Sequence, residues 1–424
     1  MTQPTLERTL TWVHGSALAI GAVLGSGILI LPAITAEQAG PASIFAWLLM
    51  SVLAFPLAMT LGRLGARHPH AGGIVEYARL AFGDIVGRMT AWLFLGTIPI
   101  GVPIIALVGA DYAASTLGLP AWSIPLMAAV MLLASLALHW HGVNVASGVQ
   151  ILVLLLIAAL LVTAIGAAAS HIQMSAYHPL APHGWLSAAQ SAVTIFWCFV
   201  GWEMVGHLAE EFRDPARDLR RTFVAAPLVV GVLYVALSGV TVGTHAYGAT
   251  SDAPLSQLVG IGLGRVGADV AGIAALLVTM VAIHGNVAGF SRMVYSQARA
   301  RVFPAALGRL HARHRTPTGA LLALGVDFLL VLAMDTAFQV NLGALVKWPS
   351  VVFLVLYAVA MASAVKLLKS TGRIARASAV VSLMVCLGLY PLSGWATVYP
   401  VALGLVGWLI SRRASREPSP PADL

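Results

Sequence analysis

The sequence predicts an all-α membrane protein of about twelve transmembrane helices, and three observations lead to that class. Of its 424 residues, 59% are hydrophobic and 9% charged, where a soluble domain carries about 25% charged residues. The apolar residues gather into about twelve runs near the roughly 20-residue length that crosses a bilayer. The basic residues between those runs fall almost entirely on one side of the alternation. A chain this poor in charge cannot coat itself with polar surface in water, so lipid is the solvent it suits. The formal net charge of +8 then reads as orientation in a membrane and not as a nucleic-acid footprint.

The runs fall at 10–35, 42–64, 88–116, 121–140, 143–168, 187–209, 222–246, 267–298, 318–334, 340–365, 376–391 and 395–411. The first lacks a small-residue cleavage site in the usual place and is expected to remain as a helix. The last two are short enough for a shallow hairpin, and the polar, Pro-rich stretch from Ser415 is expected to be disordered. Cys198 and Cys386 both sit inside apolar runs, which argues against a structural disulfide. With the N-terminus placed in the cytoplasm, the positive-inside rule accounts for all but two of the 24 Lys and Arg residues. Arg265 falls outside and Lys347 within a run. Both termini are therefore expected in the cytoplasm. The division that follows is a cytoplasmic segment 1–9, a five-helix unit 10–168, a second five-helix unit 187–365, a helix pair 376–411 and a cytoplasmic tail 412–424.

Two runs contain interruptions. Run 1 reads Gly21-Ala-Val-Leu-Gly25-Ser26-Gly27-Ile28, with Pro32 one turn on. Two glycines around a serine weaken a helix where lipid cannot satisfy freed amides. Unwinding there leaves the N–H groups of the following half-helix facing a ligand carboxylate, aided by the helix dipole. Tight helix packing is the alternative, because Gly21 and Gly25 also fit a small-xxx-small pattern. Run 6 reads Phe196-Trp197-Cys198-Phe199-Val200-Gly201-Trp202-Glu203-Met204-Val205-Gly206-His207. A carboxylate at that depth is paired or lines a watery path, so Glu203 is either a structural anchor or a coupling group. His207 has a side chain able to carry protons near neutrality, or packs as a neutral ring. Trp197 and Trp202 fit a lipid-facing position, ordinary packing or an interface belt. Interrupted first helices in two five-helix halves that start on opposite sides of the membrane suggest an inverted repeat, with a site between the halves.

These residues also resemble a known family. Gly25-Ser26-Gly27-Ile28 is similar to the helix-1 break of the amino acid–polyamine–organocation superfamily. Phe199-Val-Gly201-Trp-Glu203, followed by Glu210-Glu211-Phe-Arg-Asp-Pro215-Ala-Arg217, resembles its helix 6 and exit loop. Ala71-Gly72-Gly73 with Tyr77 and Ala81-Phe82-Gly83 resembles the segment after helix 2. Within the superfamily, Gly96-Thr-Ile-Pro99-Ile-Gly101-Val-Pro103, His207-Leu-Ala-Glu210 and Arg292-Met-Val-Tyr-Ser-Gln297-Ala look like the bacterial exporters of L-methionine and branched-chain amino acids.

The resemblance implies a leucine-transporter-type fold, a 5+5 inverted repeat plus two C-terminal helices. It implies a secondary transporter that exports methionine, leucine, isoleucine and valine with protons as the coupling ion, as a monomer or homodimer. An importer or exchanger of the same superfamily is the other reading. By the same resemblance the Ser26, Gly27 and Ile28 amides hold the substrate carboxylate. Carbonyls near Val23, Trp197 and Val200 hold its ammonium group, Trp197 stacks over it, Gly201 supplies the break and Glu203 braces it. The superfamily's helix-5 lysine is missing: Ile157 stands at that register. Lys347 is then a replacement charge or a snorkelling side chain, and Asn286 a site, gating or interhelical residue. No zinc pattern, P-loop or nucleophile elbow is present, and His139-Trp-His141 lacks helical metal-ligand spacing. No cofactor and no enzymatic activity are expected.

Overall fold

The structure, a computed structural model, describes residues 11–68, 72–142, 147–202, 212–248, 253–299, 303–338, 340–369 and 372–414. Within them every regular element is helical. Run 1 becomes two helices, α1 (Trp12–Val23) and α2 (Gly27–Ala39), bent by 53° across Leu24, Gly25 and Ser26. There follow α3 (Ala42–Arg67), α4 (Gly73–Phe82), α5 (Asp84–Leu95), α6 (Ile98–Leu117), α7 (Ser123–Trp140) and α8 (Ser147–Ala169). Run 6 begins as α9 (Gly184–Phe196) and passes into a 3-10 turn over Trp197–Phe199. The remaining helices are α10 (Pro215–Gly243), α11 (Pro254–Arg299), α12 (Thr318–Phe338), α13 (Leu342–Leu367), α14 (Arg373–Leu389) and α15 (Val398–Ala414).

Local chemistry sets several of these ends. Asp214 caps α10 by accepting from the Arg217 amide, with Pro215 at the first helical position. Asn341 caps α13 by accepting from the Gly343 amide at 2.8 Å. Gly118 closes α6 in the left-handed conformation, φ 64°. The segment after run 2, outside every apolar run, forms α4. Its Tyr77, Ala78 and Ala81 are buried, and Tyr77 packs with Leu64, Ala364 and Leu368. Arg79 on its other face pairs with Glu76 at 2.6 Å.

Among the described residues, nine helices are long and apolar enough to cross a membrane, or ten if the bent α1–α2 pair is one span. That count stops short of twelve for two local reasons. The helix of run 6 ends at its own break after 13 residues. The last two runs form one apolar stretch interrupted at Gly394, whose φ 59° and ψ −133° no helix contains.

Large apolar side chains point outward as well as inward. α12 exposes Leu322, Val326, Leu329, Leu330 and Met334, and α10 exposes Val224, Leu228 and Val232. Faces of that kind suit lipid and are costly in water. Inside, two main cores form. The larger gathers α1, α2, α3, α8, α9, α10 and α13 around Trp47, Phe199, Tyr234 and Tyr357. The smaller joins α6, α7, α11 and α12 through Val102, Leu132, Leu136, Ile283 and Phe328.

Candidate functional site

The two interruptions lie against each other in the larger core. The α1 helix ends when the Leu24 amide bonds to Ile20 O, and a tight turn follows, Gly25 N to Val23 O at 2.7 Å. Leu29 N is the first amide of the next segment to find a backbone carbonyl, Ser26 O at 3.1 Å. The amides of Ser26, Gly27 and Ile28 therefore stand at a helix N-terminus with no intrahelical acceptor, as geometry requires there. Ser26 is 3% exposed and Ile28 fully buried, so water does not replace those acceptors. Pro32 inside α2 lacks the amide that would bond Ile28 O.

On the other chain segment, Val200 adopts an extended conformation after the 3-10 turn, and Gly201 has φ 123°. Only glycine adopts that angle at low cost. It is also the only residue with room: a Cβ on Gly201 would lie 2.6 Å from Ala22 O. A Cβ on Gly27 would lie 2.7 Å from Trp197 Cδ1 and 2.9 Å from Cys198 Sγ. The glycines thus let unwound backbone meet unwound backbone.

Three buried tyrosines hold this loose backbone, and sequence reading missed all of them. The Tyr234 hydroxyl of α10 lies 3.0 Å from Val23 O and 3.1 Å from Cys198 O, so one proton serves a carbonyl from each break. The Tyr357 hydroxyl of α13 accepts from Gly201 N at 3.1 Å. Tyr112 of α6 donates to Leu29 O at 2.6 Å and accepts from Leu255 N at 3.0 Å. The signal available in the sequence was a tyrosine in mid-run, since a buried phenol needs a partner.

Val23, Gly25, Ser26, Gly27, Ile28, Trp197, Val200 and Gly201 are thereby gathered at one place. Val23 O accepts from both the Gly25 amide and the Tyr234 hydroxyl, which occupies its two lone pairs. The half-buried Trp197 indole forms a wall. Its Cη2 lies 3.0 Å from where a Cβ of Gly101 would stand, and its ring meets Phe353 edge-on at 6.0 Å. Phe94 meets the same Phe353 at 5.8 Å. Gly101 and Phe353 were not anticipated; the first belongs to a stretch the sequence singled out only for its likeness to a family.

The other candidates stand elsewhere or outside the described residues. Trp202 is fully buried directly after the break. Glu203 and His207 lie outside the described residues. Asn286 spends its amide on Ala282 O of its own helix at 2.8 Å. Lys347 is half-buried near the start of α13, beside Trp348, which packs edge-on against Tyr399 at 5.6 Å. Ile157, at the register of the missing lysine, is 1% exposed in the larger core.

The family pattern described as Amino acid permease matches residues 10–411, nearly the whole chain. The chain belongs to the amino acid permease family. This permease is 46% identical over 409 residues to the uncharacterized amino acid permease YecA of Bacillus subtilis (strain 168), covering 96% of each chain. It is 31% identical over 417 residues to the L-methionine/branched-chain amino acid exporter YjeH of Escherichia coli (strain K12), again covering 96% of each. The branched-chain amino acid permease BcaP of Bacillus subtilis (strain 168) is 23% identical over 371 residues. The permease is therefore a multi-pass membrane protein of a bacterial transporter family whose cargo is amino acids, and not an enzyme.

Proposed function

We propose that the permease exports neutral amino acids, methionine, leucine, isoleucine and valine, across the bacterial inner membrane by alternating access coupled to protons. The observation that carries this reading is the meeting of two helix breaks at Gly27 against Trp197 and Gly201 against Ala22. An amino acid is a zwitterion and needs opposite partial charges a few ångströms apart. The α2 N-terminus offers amides of Ser26, Gly27 and Ile28 to its carboxylate. The Trp197 and Val200 carbonyls are the matching acceptors for its ammonium group. Val23 O joins them only if Tyr234 or Gly25 releases it. Because these are partial charges, release stays accessible.

The side chain of the substrate then faces Trp197, Gly101, Phe94 and Phe353. Such an apolar and aromatic wall suits an aliphatic or thioether group, which agrees with the name of the exporter relative. In this reading Trp202 and Glu203 brace the second break, and His207, Asn286 and Lys347 modulate gating. Both termini and the arginine-rich helix ends face the cytoplasm. The ten helices of 10–168 and 187–365 form two inverted five-helix repeats, in a monomer or homodimer.

Import or exchange is the second reading, favoured by the relatives named as branched-chain amino acid permeases. A radiolabelled amino-acid panel in reconstituted vesicles separates them. Methionine and leucine leaving loaded vesicles under an imposed pH gradient supports export. Movement that strictly requires a counter-substrate establishes exchange, and no movement of any amino acid overturns the proposal.

A further inference from the structure

Away from the helix breaks, the smaller core holds a pair of buried imidazoles. His139 of α7 and His284 of α11 are 6% and 5% exposed, and their ring centroids lie 3.9 Å apart at an interplanar angle of 40°. His139 Nδ1 lies 2.9 Å from Ser135 O. A carbonyl can only accept, so Nδ1 carries the hydrogen and the neutral ring is left with a bare lone pair on Nε2. That Nε2 is buried and has no hydrogen-bond partner among the described residues. Burial favours the neutral ring, so this nitrogen can take a proton only when the interface opens. Tilted against each other at this distance, the rings accommodate one added charge and disfavour two.

The surroundings can be stated helix by helix, since α6, α11 and α12 are the elements packed against α7. On α11 the neighbouring ionisable groups are His284, Arg292, Tyr295 and Arg299, and the Arg292 charge acts on His139. Elsewhere along their lengths, α12 carries Asp327 and Asp335, and α6 carries Asp111 and Tyr112. Leading outward from α7, His141 meets His314 at 5.8 Å, and His314 meets His311 at 4.8 Å. These three imidazoles form a separate group beyond the end of α7.

We propose that His139 and His284 form a shared proton-binding site between α7 and α11, and that this site carries the coupling proton. The inference rests on the proton-coupled reading above and assigns it an address. Loading adds a proton to the Nε2 lone pair and unloading returns it to water; no other bond changes. An imidazolium among Leu136, Ile283 and Val287 needs hydration that the closed interface denies it. Proton occupancy is therefore linked to whether α7 and α11 are closed together, and through them to the conformational cycle.

The test uses full-length protein in vesicles with radiolabelled leucine and methionine, comparing wild type with His139→Gln, His284→Gln and the double variant. For one coupled proton, a gradient of about one pH unit sustains roughly a tenfold concentration ratio of substrate. Wild type is expected to reach that ratio and the double variant a ratio of about one, while gradient-free counterflow stays within about twofold of wild type. A double variant that still sustains the wild-type ratio overturns the proposal. A wild type that itself ignores the gradient overturns the proton-coupled reading first, and the proposal with it. Should the variants fail to assemble, nitrogen-15 NMR of histidine-labelled wild type in liposomes decides. One imidazole of the buried pair titrating between about pH 5 and 8 supports the site; two rings that stay neutral throughout overturn it.

Discussion

The two cores treat polarity in opposite ways. In the larger one, the backbone itself is opened at Leu24–Ser26 and at Val200–Gly201, and side chains are recruited to close what the chain leaves open. Tyr234 serves Val23 O and Cys198 O, Tyr357 serves Gly201 N and Tyr112 serves Leu29 O. In the smaller one, α6, α7 and α12 run unbroken and the polarity is carried by side chains such as His139 and His284. The contrast teaches where an amino acid and where a proton can be handled. Main-chain amides and carbonyls supply fixed partial charges of both signs and cannot titrate; imidazoles change charge and offer no such pair.

The comparison breaks most severely at Gly27. Replacing it with valine drives side-chain carbon into Trp197 and Cys198, and displacement of a positioned group by about 1 Å can cost on the order of a hundredfold. Gly27→Val is expected to abolish amino-acid flux in vesicles while leaving the amount of membrane-inserted protein unchanged. Gly201→Ala comes next, with strain of about 1–3 kcal/mol from the positive φ alone and a contact with Ala22 O at 2.6 Å besides. Flux is expected to fall about tenfold or more, with a lowered melting temperature. Tyr234→Phe leaves two buried carbonyls sharing no hydroxyl, at a cost of about 1–3 kcal/mol. Its signature should be a several-fold loss of flux with a smaller loss of thermal stability, and Tyr357→Phe should resemble it in kind. The smallest effect belongs to the other core. An alanine at Gly325 of α12 would meet only the flexible tip of Leu136 at 3.3 Å, so flux and melting temperature should stay close to wild type. A strong effect there would erase the distinction between the two regions.

Much of the larger core was legible in the residues. Gly25-Ser26-Gly27 and Gly201 announce broken helices because a bilayer leaves so few uses for such sequences. The partners of those breaks were not legible. Tyr112, Tyr234 and Tyr357 come from three other helices, and no periodicity along one run says which phenol reaches which carbonyl. The same holds for His139 and His284, which are 145 positions apart in the chain and become neighbours only through the packing of α7 on α11. The amphipathic α4 escaped because a ten-residue helix at a membrane edge carries too short a pattern to separate from a loop.

An amino acid gripped by the opened backbone of the two interrupted helices should protect that backbone from solvent. Hydrogen–deuterium exchange of the purified permease, with and without saturating methionine, tests it most directly. Methionine is expected to slow exchange in peptides covering Leu24–Leu29 and Trp197–Gly201 and to leave the α7 peptide Ser123–Trp140 unchanged. Methionine that is transported yet protects neither break, or protects only segments of the other core, would contradict it.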